Sequence, residues 1–263
     1  MTEKFTYTLL KAQRNFLEIP HDYSIDIAVY QGGYGSGKTF CGSLLGILLC
    51  LKYPKIRGLV GAQTYTLVRD TTLKTYFEHL DNMGFIEGKD YEWSASLQTL
   101  KFKNKSEILF KHFDEPNQLK SLNLGFVEIE EMSEVPFETF KMLLARMRQK
   151  PRENWKNFKY RIFGHTNPEM ERGWIYKTFI KNPLPNYRLI TAPTTENIYL
   201  PEGFCDEAWK AIYQYVFALA HGASKTTFYY NDWIKTPGVA ICSCNDGIRP
   251  VIFKLEATDI ECK

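Results

Sequence analysis

Long apolar stretches are absent from this chain, and so is any strong bias of charge. The most apolar run, Cys41 to Leu51, is too short to cross a bilayer. The opening Met1-Thr2-Glu3-Lys4-Phe5 lacks the pattern of a secretory signal. No membrane role is expected. Lysine and arginine number 33 against 30 aspartate and glutamate, a net charge of +3, too small to point to a nucleic-acid partner by itself. Among the 6 cysteines no pair has C-x-x-C spacing, and Cys242-Ser243-Cys244 has no second ligand pair nearby, which argues against a zinc site. Cys41 and Cys50 fall in the apolar run and read as reduced core residues, which places the chain in a reducing, cytoplasmic compartment. Internal repeats and low-complexity segments are missing too. One local excess of charge stands out: Arg146, Arg148, Lys150, Arg152, Lys156, Lys159 and Arg161 crowd one stretch. From charge alone it reads as a solvated face.

What is present is enough for a large core. The 263 residues are 44% hydrophobic, which suits one large α/β domain, or such a domain with a small extension. Gly32-Gly33-Tyr34-Gly35-Ser36-Gly37-Lys38-Thr39 matches the phosphate-loop pattern G-x-x-x-x-G-K-[ST]. Gly32, Gly33, Gly35 and Gly37, with Ser36, allow backbone N–H groups to curl around phosphate oxygens. Lys38 supplies charge for the terminal phosphates, the Thr39 hydroxyl can hold Mg²⁺, and the helix that follows points its positive end at the anion. Ile25 to Tyr30 reads as the strand entering this loop, and Thr39 to Leu49 as the buried helix leaving it.

Strand and helix signals alternate beyond the loop. Arg57 to Ala62 reads as a second strand. A helix from about Thr66 to Leu80 places Leu67, Leu73, Tyr76, Phe77 and Leu80 near one face. The period then changes to two. Thr99 to Lys103 and Glu107 to Lys111 alternate apolar and polar residues, with Asn104-Lys105 as the turn, and predict a hairpin inserted at a sheet edge. Leu124 to Ile129 is a third core strand, Pro136 opens a helix bearing Phe137, Phe140, Leu143, Leu144 and Met147, and Tyr160 to Gly164 and Tyr187 to Ile190 are further strands. The order predicts a three-layer α/β fold on a mostly parallel sheet.

Binding phosphate is not hydrolysing it. Hydrolysis needs an acid to place Mg²⁺ and a base to orient water. Glu130 and Glu131 close the third core strand, at the end where ligand-facing groups of open α/β sheets emerge. Adjacent strand residues point to opposite sides, so one carboxylate can face the metal and the other the γ-phosphate. With Glu128 and Glu134 beside them, the same stretch also reads as an acidic surface patch. His165 at a strand end reads as a packed, hydrogen-bonded residue. Thr166 and Asn167 read equally as a turn before Pro168.

The order of these motifs resembles that of the viral (bacteriophage) large terminases, the ATP-driven motors that package DNA into procapsids. Lys11-Ala12-Gln13-Arg14-Asn15-Phe16-Leu17 resembles the family's adenine-contacting segment, and Gly32 to Thr39 its Walker A loop. Leu67 to Thr71 resembles an arginine-bearing helix start. Phe113 to Ser121 running into Phe126 to Glu134 resembles the approach to Walker B, and His165-Thr166-Asn167-Pro168 the coupling motif; Gly173 to Lys177 and Thr194 to Asn197 add to the likeness. It covers roughly residues 5 to 200.

The resemblance implies a RecA/terminase-like P-loop NTPase domain over residues 1–200, with ATP and Mg²⁺ as cofactors. In it Lys38 grips the phosphates, Thr39 and Glu130 hold Mg²⁺, Glu131 activates water, Gln13 senses adenine, and Thr166 and Asn167 couple hydrolysis to movement. It implies double-stranded DNA, a small terminase subunit and a portal protein as partners, in the host-cell cytoplasm. On the portal a homo-oligomer is expected, and off it a monomer. Departures are visible. Tyr34 stands where members often carry arginine, and Glu130 where Asp is commoner. Lys120 occupies the place, eleven residues before the catalytic glutamate, where several members have a trans-acting arginine, and it lacks the bidentate fork. Arg146 and Arg69 are alternatives for that role. Residues 201–263 are too few for the family's usual nuclease domain, so no nuclease activity is expected, and Asp206, Asp232, Asp246 and Asp259 are scattered. A helix near Asp206 to Ala220 is expected there. Two other readings remain: a P-loop phosphotransferase, and a non-catalytic nucleotide-binding remnant that scaffolds a packaging complex.

Overall fold

Strand β1 (Ile27–Gly32) is buried along its whole length and lies inside the sheet, as an almost unbroken apolar run should. The computed structural model describes residues 6–115, 119–168, 173–204, 239–244 and 247–252. After α1 (Lys11–Leu17) and β1 come α2 (Lys38–Lys52), β2 (Arg57–Ala62), α3 (Tyr65–Leu67), a π turn (Val68–Thr72) and α4 (Leu73–Asn82). Strands β3 (Tyr91–Ser94), β4 (Thr99–Phe102), β5 (Glu107–His112) and β6 (Phe126–Glu130) follow. Then come α5 (Phe137–Leu144), β7 (Arg161–Thr166), a second π segment (Tyr176–Lys181) and β8 (Tyr187–Ala192). The eight strands form one sheet in the order β3-β4-β5-β2-β6-β7-β1-β8. From β5 to β1 every neighbouring pair is parallel. β9 (Val239–Cys244) and β10 (Gly247–Ile252) make a separate antiparallel pair.

The chain divides into two compact units. One takes in the residues up to Gly32 together with Gly37–Thr191, and the other Gly33–Ser36 together with the chain from Ala192. The helix expected near Asp206 to Ala220, and Asp206, Asp232, Asp246 and Asp259, lie outside the described residues.

The expected hairpin is there, with two differences. β5 is not only a hairpin arm but also pairs parallel with β2, so the insertion is continuous with the main sheet. The outermost strand is β3, antiparallel to β4, and four residues with no fully buried position gave too short a pattern to read. The helix expected from Thr66 to Leu80 is also present but interrupted by the π turn.

Alternation along β6 sorts its side chains. Val127 and Ile129 join Ile27, Val29, Leu59 and Ile162 in a core that packs against Phe140 and Leu143 of α5 and against Ile175 and Phe179. Glu128 and Glu130 face the other way, towards α2 and α4. They are buried there (0% and 2% exposed), so the reading as a surface patch fails for these two, while Glu134 is exposed. The packing leaves no room for side chains on the facing turns of α2. A Cβ on Gly42 would stand 2.6 Å from the His165 ring and 2.7 Å from Glu128, and one on Gly46 only 1.9 Å from the Tyr76 hydroxyl. Cys41 and Cys50 are buried free thiols on the same helix. No helix among the described residues is long and apolar enough to cross a membrane.

Candidate active site

The parallel strands β1, β6 and β7 end at one edge, and the first unit gathers its ionisable side chains there. Gly37 caps α2 in the left-handed region (φ 76°), a conformation that suits glycine. A Cβ there would also meet the Gln13 amide at 2.4 Å. Lys38 and Thr39 open α2. The Lys38 ammonium donates to Asn167 Oδ1 at 2.9 Å and lies 3.7 Å from Glu131 Oε1. The Thr39 hydroxyl donates to Glu130 Oε1 at 3.4 Å.

Glu131 reaches this position by a different route from the one expected. It is not a strand residue. β6 ends at Glu130, and Glu131 turns into the left-handed region (φ 43°, ψ 58°), where a non-glycine residue bears a strain of about 1 kcal/mol or more. The turn, not strand alternation, brings both acids to the α2 side. Asn167 then fixes the Glu131 carboxylate: its backbone N–H donates to Oε2 and its Nδ2 to Oε1, both at 3.2 Å. The amide orientation follows from its neighbours, because a flipped amide would turn its NH₂ to the lysine and its oxygen to the carboxylate. Thr166, at the end of β7, donates to the Ser133 hydroxyl at 2.6 Å and accepts from the Ser133 N–H at 3.3 Å. The two strand ends carrying the proposed hydrolytic and coupling residues are thus tied together by side chains.

Behind Glu130 lies a charged network that sequence reasoning missed. His165 is fully buried. Its Nε2 lies 3.0 Å from Glu128 Oε1, and its Nδ1 lies 3.1 Å from Glu130 Oε1, within ion-pair distance but poorly aligned for a hydrogen bond. Tyr76 donates to the other Glu128 oxygen at 2.6 Å, and Thr72 to Glu130 Oε2 at 2.5 Å. Burial disfavours the imidazolium, but the charge of Glu130, the bond to Glu128 and the close contact with Glu130 outweigh it and lift His165 to about 10. Burial also pushes the Glu130 carboxyl up; the His165 charge first, then its contact, the Thr72 bond and Lys38 outweigh it and hold the acid below its ordinary value. Glu128 goes the other way, because burial outweighs its bonds to His165 and Tyr76. Glu130 therefore stays an anion at neutral pH. The only sequence trace of this network is the alternation Glu128-Ile129-Glu130 within an apolar strand.

Gln13, the expected adenine contact, is buried. Its Oε1 accepts from the Leu10 N–H at 3.0 Å and its Nε2 donates to the Gly37 carbonyl at 3.4 Å, so in this conformation it ties α1 to the start of α2. Gly32 ends β1. Gly33, Gly35 and Ser36 belong to the second unit. There Ser36 N–H bonds Gly33 O at 3.2 Å, Gly35 has φ 74°, Thr194 donates to Tyr34 O at 2.8 Å, and Asn197 donates to Gly35 O at 2.5 Å.

Lys120 and Arg146 stand apart from these groups. The Arg146 guanidinium donates to the Lys120 carbonyl, and the Arg146 carbonyl accepts from Leu124 N–H, just before β6 begins and at the opposite end of that strand from Glu130. Arg69 is exposed and paired with Asp70 at 2.8 Å. Arg146 is thus engaged by the Lys120 carbonyl and Arg69 by Asp70.

A profile of the phage terminase large subunit family matches residues 25–234. The PBSX phage terminase large subunit of Bacillus subtilis (strain 168) is 35% identical over 152 residues, 57% of this chain and 33% of that protein. The large terminase of a thermophilic bacteriophage, solved in complex with ADP, superposes with a TM-score of 0.65 at 14% identity, covering 77% of this chain and 50% of its own. The large terminase ATPase domain of Thermus phage P74-26 superposes at 0.54 with 16% identity, covering 83% of this chain and 90% of that domain. The chain thus spans a third of the matched curated relative and half of the ADP-bound terminase. At such identities the superpositions speak for the fold: an open, mostly parallel α/β sheet shared with large terminase ATPase domains. Sequence and fold together lead to one assignment: this chain belongs to the phage terminase large subunit family.

Proposed function

We propose that this chain is the ATP-hydrolysing motor domain of a phage packaging terminase, coupling ATP hydrolysis to translocation of double-stranded DNA into a procapsid. One observation carries the reading. A phosphate-loop lysine, a strand-end carboxylate and the coupling-motif asparagine are joined as Lys38–Asn167–Glu131, with Thr39 and Glu130 alongside. Lys38 supplies charge to the terminal phosphates. Glu131, held by two donors from Asn167, orients a water and accepts its proton. Thr39 and Glu130 fit a Mg²⁺ ion, which takes few protein ligands and completes its shell with water and phosphate oxygens. Bound there, it would offset charge developing on the transferred phosphoryl group.

The same geometry supplies a coupling step. The Asn167 amide is shared by Lys38 and Glu131. When Lys38 turns to a triphosphate it leaves Asn167, and when the terminal phosphate departs it returns. β7 then registers the change directly. Lys120, Arg146 or Arg69 would act on a neighbouring subunit, in keeping with the place of Arg146 beside the start of β6 and the pairing of Arg69 with Asp70. A trans contact of that kind is worth roughly 10³–10⁵ in turnover, so an isolated monomer is expected to be slow. A homo-oligomer on a portal protein, a small terminase subunit as partner and the host-cell cytoplasm as location complete the proposal.

The test is ATP turnover by wild type and Glu131→Gln, at high protein concentration, with and without double-stranded DNA. Expected are wild-type turnover and its loss in the variant. Equal rates for the two proteins remove Glu131 from its role. Tight ATP binding without turnover under any of these conditions favours the nucleotide-binding remnant. Activity that stays unchanged by DNA, whose binding to the protein should weaken with salt, counts against translocation.

A further inference from the structure

Three threonines lie close together on the α3–α4 segment, and one behaves differently. Thr71 donates to the Leu67 carbonyl at 2.6 Å and Thr75 to the Thr71 carbonyl at 3.1 Å, the ordinary back-bond of a helical threonine to the residue four before it. Thr72, fully buried, instead sends its hydroxyl out of the helix to Glu130 Oε2 at 2.5 Å. We propose that Thr72 is a positioning residue for the magnesium-facing carboxylate of Glu130, brought into line by the π turn Val68–Thr72, and that it sets the protein's affinity for magnesium rather than for the nucleotide. The inference rests on the magnesium-nucleotide reading of the site given above.

The spacing of the two elements explains why Thr72 can do this. Thr72 and Tyr76 are four residues apart, a rise of about 6 Å along a helix. Glu130 and Glu128 are two residues apart, about 6.6 Å along a strand. Thr72 meets Glu130 and Tyr76 meets Glu128, so a helix row and a strand row match rung for rung while the chains run in opposite directions. Regular α-helix would not keep this row aligned for long. A step of four residues drifts by about 40° per repeat, and Val68, Thr72, Tyr76 and Leu80 make three such steps, all four of them buried. The wider π turn, with more residues per turn, offsets the drift and holds Val68 and Thr72 on the buried side with Tyr76.

The carboxylate is thereby held at both oxygens. Oε2 accepts from Thr72, and Oε1 faces Thr39 at 3.4 Å and His165 at 3.1 Å. A carboxylate has about four lone-pair positions, so a single bond to Oε2 still leaves room for a cation. Without Thr72 that oxygen loses its donor and the group is free to rotate towards His165. Groups that orient a metal's ligands typically carry a 10–100-fold effect on metal affinity. Tyr76 gives the internal comparison: it makes the same kind of bond one turn along, but to Glu128, which has no place at the metal.

The experiment measures binding, not turnover. A fluorescent ADP analogue is titrated into the whole chain at a series of magnesium concentrations and in EDTA, for wild type, Thr72→Val, Thr72→Ser and Tyr76→Phe. The magnesium midpoint should rise by roughly tenfold or more in Thr72→Val, while affinity in EDTA stays within about twofold and Thr72→Ser follows wild type. Tyr76→Phe should lower the melting temperature and leave the midpoint in place. A folded Thr72→Val with the wild-type midpoint overturns the proposal, and so does an equal shift in Tyr76→Phe. Where Thr72→Val does not fold, Thr72→Ala set against Thr72→Ser decides on the same midpoint. Wild-type affinity that ignores magnesium removes the underlying reading of the site and this inference with it, and is thus told apart from failure of Thr72 alone.

Discussion

The two ends of the central sheet differ in how far their polar side chains depend on one another. At the end where the parallel strands begin, the side-chain pairs Arg57–Glu107, Lys159–Asp26 and Asn186–Asp26 stand apart from one another, beside many bonds from side chain to backbone. Gln149 accepts from Arg57 N–H and donates to Lys55 O, Trp155 donates to Pro54 O, Tyr160 to Gln149 O, and the Arg161 guanidinium to Asp22 O. At the end where the strands finish, a connected set of side chains is added to bonds with backbone such as Gln13 to Gly37 O: Lys38 to Asn167, Asn167 to Glu131, Thr39 and Thr72 to Glu130, and His165 between Glu128 and Glu130. A backbone partner is fixed by the fold, so bonds to it lock loops in place. A side-chain partner can be exchanged for a ligand. The first end is built to stay as it is and the second to change partners, and the difference can be tested from either side.

The largest expected effect lies at the exchangeable end. Glu131→Gln keeps the shape of the side chain and removes the proposed base. Turnover is expected to fall by roughly 10²–10⁴ with nucleotide affinity and melting temperature close to wild type, read from phosphate release beside equilibrium binding. A melting temperature that collapses together with the rate would mean that this residue, too, is structural.

Packing beneath the network comes next. Gly46→Ala sets a methyl where the Tyr76 hydroxyl already lies, 1.9 Å from the new carbon, and Tyr76 is anchored on Glu128. Overpacking of this kind costs about 1–3 kcal/mol, to be seen in chemical denaturation. A neutral result would mean that the network yields more easily than its distances imply. Gln149→Ala probes the opposite end. It leaves the Arg57 N–H without its partner and should cost about 1–2 kcal/mol, again by denaturation, while nucleotide binding is unchanged. A shift in binding would show that the two ends are not independent.

The smallest effect is a dependence on pH carried by two buried histidines of opposite sign. His79 Nε2 donates to Phe40 O (2.8 Å), and Nδ1 of the neutral ring accepts from the Tyr7 hydroxyl (3.2 Å); burial lowers its pKa against the backbone bond and the more distant Glu78 charge. Its stabilising contribution is complete above the unfolded value of about 6.5 and declines as pH falls below it. For His165, raised to about 10 among Glu128 and Glu130, the contribution is complete below about 6.5 and is lost as pH climbs towards 10. Stability measured against pH should therefore fall on both sides of neutrality, and His79→Gln should flatten the acid limb alone. An acid limb unchanged in His79→Gln would assign that limb to the carboxylates.

Much of this was legible in the linear order of residues. Gly32 to Thr39 with an apolar strand before and an apolar helix after, the period-two hairpin, and Glu130 closing a strand with Glu131 next to it are local signals, each contained in a few neighbouring residues. The rest depends on partners distant in the chain. Nothing near Glu128 announces Tyr76 or His165, which lie 52 and 37 residues away. Thr72 looks like any helical threonine until the π turn aims it. Gln13 has the same composition whether it reads a base or braces Gly37.

Sequence alone determined the glycine-rich G-x-x-x-x-G-K-[ST] pattern, the alternation of strands and helices and the acids at and just beyond the end of β6, because each follows from backbone freedom, period or residue type within a few positions. Tertiary structure alone decided that Glu131 leaves the strand through a left-handed turn, that β7 lies beside β6 so that Asn167 and His165 meet the two acids, and that Lys120 and Arg146 stand at the other end of the sheet. Those outcomes depend on which strands become neighbours and how far a helix is unwound. Both are settled by burying the whole core at once, not by any short stretch of chain.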